Sequence, residues 1–188
     1  MSFFSKRSTA LLLAAVMVIA STLLSVKVKF GEQVRQLNYG FYDGVYTEGY
    51  RQKGIGDHLK NICAYADGLV TIANNYELDT EDVRRASEDL KLGLTYSPEA
   101  VSYLYYCYDE LTKAVDVMER RMEQEELSER DQSGLEQYMS SINGAKSAIE
   151  SSGYNKTVRD FLKRYDHFPT DALARLSGVE MPQYFTYG

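Results

Sequence analysis

Cysteine, proline and tryptophan are scarce in this chain, at two, three and none among 188 residues. Cys63 and Cys107 make no Cys-x-x-Cys pair, which excludes the usual zinc and redox spacings. As isolated cysteines they read as small buried apolar residues. The chain contains no Gly-x-Ser-x-Gly, no glycine-rich phosphate loop and no His-Glu-x-x-His, so the common hydrolase, nucleotide and zinc-protease signatures are missing. His58 and His167 lie far apart, and neither has a second His or Cys beside it. No cofactor, metal or small-molecule substrate is implied. The prolines are Pro98, Pro169 and Pro182. The proline-free intervals Val26–Ser97 and Glu99–Phe168 permit long helices.

Basic charge is also in short supply. After Val26 there are nineteen Lys and Arg against twenty-seven Asp and Glu, a net charge of −8. That argues against a general grip on nucleic acid, which needs a basic surface. Taken over the whole domain it also argues against flat docking on anionic lipid headgroups.

One stretch lacks charge altogether. Ser8–Val26, STALLLAAVMVIASTLLSV, is nineteen residues without a charge, Pro or Gly. Lys6 and Arg7 precede it, and Lys27 and Lys29 follow. A helix of roughly 17–25 apolar residues crosses a bilayer core, and a helix satisfies its own backbone polar groups there. The run reads as a transmembrane signal-anchor, with Leu11, Leu12, Leu13, Val16, Met17, Val18, Ile19, Leu23 and Leu24 facing lipid. A cleaved signal peptide, cut after Ala20, is the competing reading. Leu23, Leu24 and Val26 continue past that cut, as an anchor would. The flanking charges nearly tie under the positive-inside rule. A short basic head before an apolar run is how exported chains begin, which puts the bulk of the chain outside the cytoplasm.

The remainder divides into a basic head at 1–7, the anchor at 8–26, an aromatic and glycine-rich connector at 27–54, and a helical domain at 55–188. Within the connector, Val34, Leu37 and Phe41 extend the membrane helix by a few turns, and FYDGVYTEGYRQKGIG reads as turn-rich. From Ile55 small and apolar residues recur in steps of four and three through Leu59, Ile62, Ala66, Leu69, Ala73, Tyr76, Thr80, Val83, Ser87, Leu90 and Leu94. This is the seam of a packed helix. Asn74-Asn75 and Asp79-Thr80 are weak helix formers and mark a place where the helix could break, but the register that holds across them predicts one continuous helix or a mild bend. Ser97-Pro98-Glu99 suits the opening of a second helix, whose seam is Val101, Leu104, Tyr108, Leu111, Val115, Met118 and Met122. A third starts near Ser128 or Ser133 and runs through Leu135, Met139, Ile142, Ala145 and Ile149, then Tyr154, Val158, Phe161 and Tyr165, to stop at Pro169. Thr170 or Asp171 caps a short last helix, Ala172–Leu176, which Gly178 ends. The charged stretch 119–131 reads as a solvated helix end; a carboxylate metal site there is the alternative. Tyr103, Tyr105, Tyr106 and Tyr108 circle one helix, so at least one faces outward, where Tyr suits protein contact.

The C-terminal pattern carries a resemblance. Tyr154-Asn155 and Val158, then Phe168-Pro169, then Gly178 and the pair Tyr184-Phe185, resemble the C-terminal signature of the LemA family. The stretch LKNICAYADGLVTIANNY, with Val83 and Arg85-Ala86 beyond it, is similar to that family's first bundle helix. The pattern differs at Phe161-Leu162, where the family often repeats Tyr-Asn, and at Lys60-Asn61, where it commonly has a proline. The resemblance implies a membrane anchor and a long-helix bundle and no reaction, since the family has no agreed enzymatic activity.

These readings converge on an all-α protein: a long antiparallel helical bundle of three long helices and a short C-terminal one, after one transmembrane helix. The expected role is non-enzymatic protein binding or scaffolding at the cell envelope. Expected partners are membrane lipid, through the anchor, and an unidentified protein, which includes a second copy of the chain. An enzyme or metal-dependent protein using 119–131, and a self-assembling envelope structural protein, are the alternatives.

Overall fold

Runs of apolar residues at helical spacing dominate the sequence, and helices dominate the structure. The computed structural model describes residues 2–47, 50–96, 100–167 and 170–186. Among these lie seven helices: α1 Ser2–Asp43, α2 Ile55–Asn74, α3 Glu81–Tyr96, α4 Val101–Met122, α5 Glu129–Ser151, α6 Tyr154–Tyr165 and α7 Thr170–Ser177. A small antiparallel hairpin, β1 Val45–Thr47 and β2 Tyr50–Gln52, pairs Val45 with Gln52 and Thr47 with Tyr50. The expected all-α bundle behind one long apolar helix is therefore observed.

The chain forms two compact units. The first comprises residues 1–37 and 158–182. Its core joins Phe30 of α1, Phe161 of α6 and Ala174 of α7, with Val34, Leu37, Leu162 and Tyr165 packed around them. Phe30 meets Tyr165 edge-on at 4.3 Å and Phe161 at 5.3 Å, ring centre to ring centre. The Tyr165 hydroxyl also bonds Gln33. α7 covers the expected short helix, and Gly178, at φ +68, ends it in the left-handed conformation that glycine adopts freely.

The second unit comprises residues 38–157 and 183–188. Here the structure corrects the helix count. The interval read as one helix from Ile55 to Leu94 is two, because residues 75–80 turn the chain back. α3 lies antiparallel on α2: Lys91 Nζ reaches Asp67 at 2.7 Å, Ser87 Oγ donates to the same carboxylate at 3.1 Å, and Cys63 Sγ approaches the Ser87 carbonyl at 3.9 Å. The turn uses the side chains that compete with helix. Thr80 Oγ1 bonds Asn74 Oδ1 at 3.3 Å, and Asp79 Oδ1 accepts the Glu81 N–H at 3.0 Å. Glu77 takes φ 57 between them.

α4 returns along α3, so that Arg121 reaches the Asp79 carbonyl and Leu104 packs over Gly93. α5 runs back along α2, with Tyr138 lying across Gly68 and Ile72 beside Gly134. Leu59, Leu69, Leu111 and Val115 are fully buried. α2 buries Val70, Ile72 and Cys63 beyond its seam; it has neighbours on two sides.

Two further expectations shift. The third helix does not run unbroken through Tyr165, because Gly153, at φ +70, separates α5 from α6. The connector is more regular than expected: helix continues to Asp43 and the hairpin follows. Ser128 does cap α5, accepting the Asp131 N–H at 3.2 Å. The opening assigned to Ser97-Pro98-Glu99 lies outside the described residues.

Candidate functional site

The apolar run is bare. Leu11, Leu12, Leu13, Val16, Met17, Val18, Ile19 and Leu24 each expose between 53% and 71% of their surface, and Leu23 is half-exposed. An 18-residue window of the helix has mean hydropathy 2.3 and no buried part. This is one helix long and apolar enough to cross a membrane. A soluble helix hides one apolar stripe; this one has apolar side chains around its whole girth.

The residues that carry the C-terminal resemblance are brought together around the tail. Asn155 accepts the Phe185 N–H at 2.8 Å and donates to the Phe185 carbonyl at 3.0 Å. Beside it the Tyr154 hydroxyl donates to the Gln183 carbonyl at 3.0 Å. From α4, the Ser102 hydroxyl reaches the Tyr184 carbonyl at 3.5 Å, and the Ser102 N–H meets Gln183 Oε1 at 3.2 Å. The Phe185 ring is buried among Phe41, Tyr105 and Tyr108, with centroid separations of 5.5, 5.0 and 5.7 Å. Burial pushes the Tyr154 hydroxyl up to about 12, so it stays a proton donor. Asn155 is thus a two-pronged clasp on an extended tail, as a donor-and-acceptor side chain allows. Its nitrogen, the acceptor in the sequon Asn155-Lys156-Thr157, is already engaged.

Four residues of the pattern are not among those that make the clasp. Val158 and Gly178 belong to the first unit, Val158 fully buried and Gly178 ending α7. Phe168 and Pro169 lie outside the described residues.

A cleft of about 590 Å³ opens beside the clasp, lined in part by Tyr105, Tyr108, Thr112, Lys146, Glu150 and Lys156. Tyr108 is pushed up to about 12 by burial, with Glu150 adding to it. The two lysines and the acids Asp109 and Glu150 leave it without a strong field of either sign.

A second groove, of about 400 Å³, runs between α3 and α4. Tyr103 and Tyr106 line it at 45% and 53% exposure, with Val117 exposed nearby. Of the four clustered tyrosines, these two face out and Tyr105 and Tyr108 face in. Asp79, Asp82, Asp89 and Glu110 rim the groove against Arg85, Lys113 and Arg121. Sequence periodicity located the outward tyrosines only as a set. The groove itself exists because α3 folds back, which the unbroken register concealed.

Cys63 and Cys107 are free, buried thiols. Burial raises Cys63 to about 11, well above the range of a reactive thiol. The charged stretch 119–131 forms the end of α4, a turn and the start of α5. There the Tyr76 hydroxyl donates to Asp131 at 2.8 Å and accepts the Ser128 N–H at 2.9 Å, pinning the turn after α2 to the start of α5. Among the described residues, no group of three or more His, Cys, Asp or Glu is placed to hold a metal ion. Comparison with family models, with curated proteins and with solved structures returned no match.

Proposed function

We propose that this chain is a non-enzymatic, single-pass membrane protein of the LemA type, whose bundle binds protein at the cell envelope from outside the cytoplasm. One observation carries the reading: nineteen consecutive uncharged residues form a helix most of whose large apolar side chains stand exposed among the described residues. Exposed apolar surface on that scale has no favourable place in water. The Tyr154-Asn155 and Tyr184-Phe185 resemblance supports the family reading, and the clasp gives those residues a structural role. The outward Tyr103 and Tyr106 supply a contact face of the composition that protein interfaces favour.

Two measurements on the full chain in its native membrane test this. Alkaline carbonate extraction should leave the protein in the pellet; release into the supernatant would end the anchored reading. Proximity labelling from each membrane face should give sidedness and neighbours together. Tyr103→Ala with Tyr106→Ala should remove the neighbours while leaving the protein in the membrane. Neighbours that persist unchanged would move the contact elsewhere. Should the neighbour be a second copy, light scattering in detergent will show the oligomer, and the same pair of substitutions should dissolve it.

A further inference from the structure

Negative charge averaged over the whole domain hides an uneven distribution. Of the nineteen basic and twenty-seven acidic residues after Val26, seven and five fall in the first unit, leaving twelve and twenty-two for the second. The part of the first unit beyond the apolar run is therefore net positive. The five acids are Glu32, Asp160, Asp166, Asp171 and Glu180, and Glu32 is taken up by Arg35 at 2.6 Å.

The geometry puts that positive charge at a definite height. α1 is continuous from the apolar run through Phe30 and Gln33. At 1.5 Å per residue these stand about 6 and 10 Å past Val26. Tyr165 touches both, and Phe161 and Ala174 pack with Phe30. So the last turn of α6, and α7 with it, are held at the level of Phe30. The headgroup layer beyond a hydrocarbon core is about 5–8 Å deep on each side. Lys27, Lys29, Lys163 and Arg164 are exposed at this level. Two large apolar side chains there also face away from the core: Val28 at 65% exposure and Leu176, on the side of α7 opposite Ala174, at 72%. Tyr165 is the kind of ring found in the interfacial belt.

We infer that this juxtamembrane collar — α1 just past the run, the last turn of α6, and α7 — is seated on anionic phospholipid headgroups. Lys27, Lys29, Lys163 and Arg164 meet the phosphates, and Leu176 dips below them. The inference rests on the reading that Ser8–Val26 spans a bilayer.

The chain has no tryptophan, so single tryptophans report cleanly. The full chain carrying Leu176→Trp is reconstituted into vesicles of phosphatidylcholine, and of phosphatidylcholine with an equal part of phosphatidylglycerol. In the mixed vesicles its emission should shift to the blue and be quenched by headgroup-labelled lipid. Raising the salt toward 1 M, where the screening length falls to about 3 Å, should reverse both changes. So should Lys163→Glu with Arg164→Glu. A Val16→Trp chain should be quenched by lipid labelled in mid-chain in both vesicles. Failure of that control removes the spanning segment, and the collar with it. A quenched Val16→Trp beside a water-like Leu176→Trp overturns the collar alone. So does quenching of Leu176→Trp that ignores lipid charge, salt and the reversed residues. If circular dichroism shows helix loss in Leu176→Trp, Val28→Trp takes its place; if in the reversed pair, Lys163→Gln with Arg164→Gln does.

Discussion

Asn155 holds the backbone of Phe185 from both sides, accepting its N–H at 2.8 Å and donating to its carbonyl at 3.0 Å. The pair fixes where the Phe185 ring enters the cluster of Phe41, Tyr105 and Tyr108. Asn155→Ala removes both bonds and leaves two half-buried backbone groups to find other partners, at a cost of about 1–3 kcal/mol. Asn155→Asp keeps the acceptor and sets an anion against the Phe185 carbonyl, so it should destabilise as well. Urea unfolding of the full chain in detergent measures both. An Asn155→Ala chain as stable as the parent would mean that the rings alone hold the tail.

Glu77 separates a turn from a continuous helix. It holds φ 57 in the link between α2 and α3, a conformation that costs a residue with a Cβ roughly 1–2 kcal/mol and glycine much less. Glu77→Gly should therefore stabilise the bundle, by up to about 1 kcal/mol once glycine's looser unfolded state is counted. In an unbroken helix the same change would destabilise by a similar amount. The sign of the shift in a denaturant titration decides between the two.

That residue also marks where the sequence stopped being informative. The seam from Ile55 to Leu90 keeps step across residues 75–80, and nearly all of its positions are buried. The step was real but its meaning was ambiguous. Periodicity fixes which face each helix buries, and two helices of a hairpin can share a phase by chance of link length. The information lay in Asn74, Asp79 and Thr80, whose side chains bond locally and compete with helix. Elsewhere strong local chemistry was legible. Ser128 caps α5, Gly178 ends α7, and the uncharged run at Ser8–Val26 stands bare. The tail clasp was legible as a set of residues, because Asn155 needs partners when half-buried. The α3/α4 groove was not, because it depends on which helices meet, and single-chain periodicity carries no pairing information.

Two glycines at ordinary backbone angles should respond in opposite directions. A Cβ on Gly144, exposed inside α5, meets nothing within 4 Å. Gly144→Ala should stabilise by up to about 1 kcal/mol through helix propensity alone. A Cβ on Gly54, ahead of α2, would come within 2.5 Å of the Phe41 carbonyl oxygen and 2.6 Å of the Gly44 nitrogen. Backbone atoms cannot swing aside as a side chain can. Gly54→Ala should cost about 1–3 kcal/mol, as an overpacked core site does. Thermal melts of the two variants beside the parent check the pair, and a neutral Gly54→Ala would mean that the α1–hairpin–α2 corner is looser than the structure has it.

His58 gives the bundle a pH dependence of predictable sign. Partial burial lowers its basicity below the usual 6.5, and the Lys53 cation lowers it further, against a smaller opposing pull from Asp57. The folded state therefore binds this proton less readily than the unfolded state. Between the depressed folded value and 6.5 the unfolded chain carries more of the proton, and stability rises with pH wherever that holds. So the contribution of neutral His58 is whole above pH 6.5 and is lost as the pH falls through that window. His58→Gln has no proton to gain and should escape the loss. Unfolding titrations of parent and variant at matched salt, from above pH 6.5 to about one unit below it, should show the parent weakening relative to the variant. Parallel stabilities across that range would place His58 in a more watery setting than its half-buried position in the first turn of α2 provides.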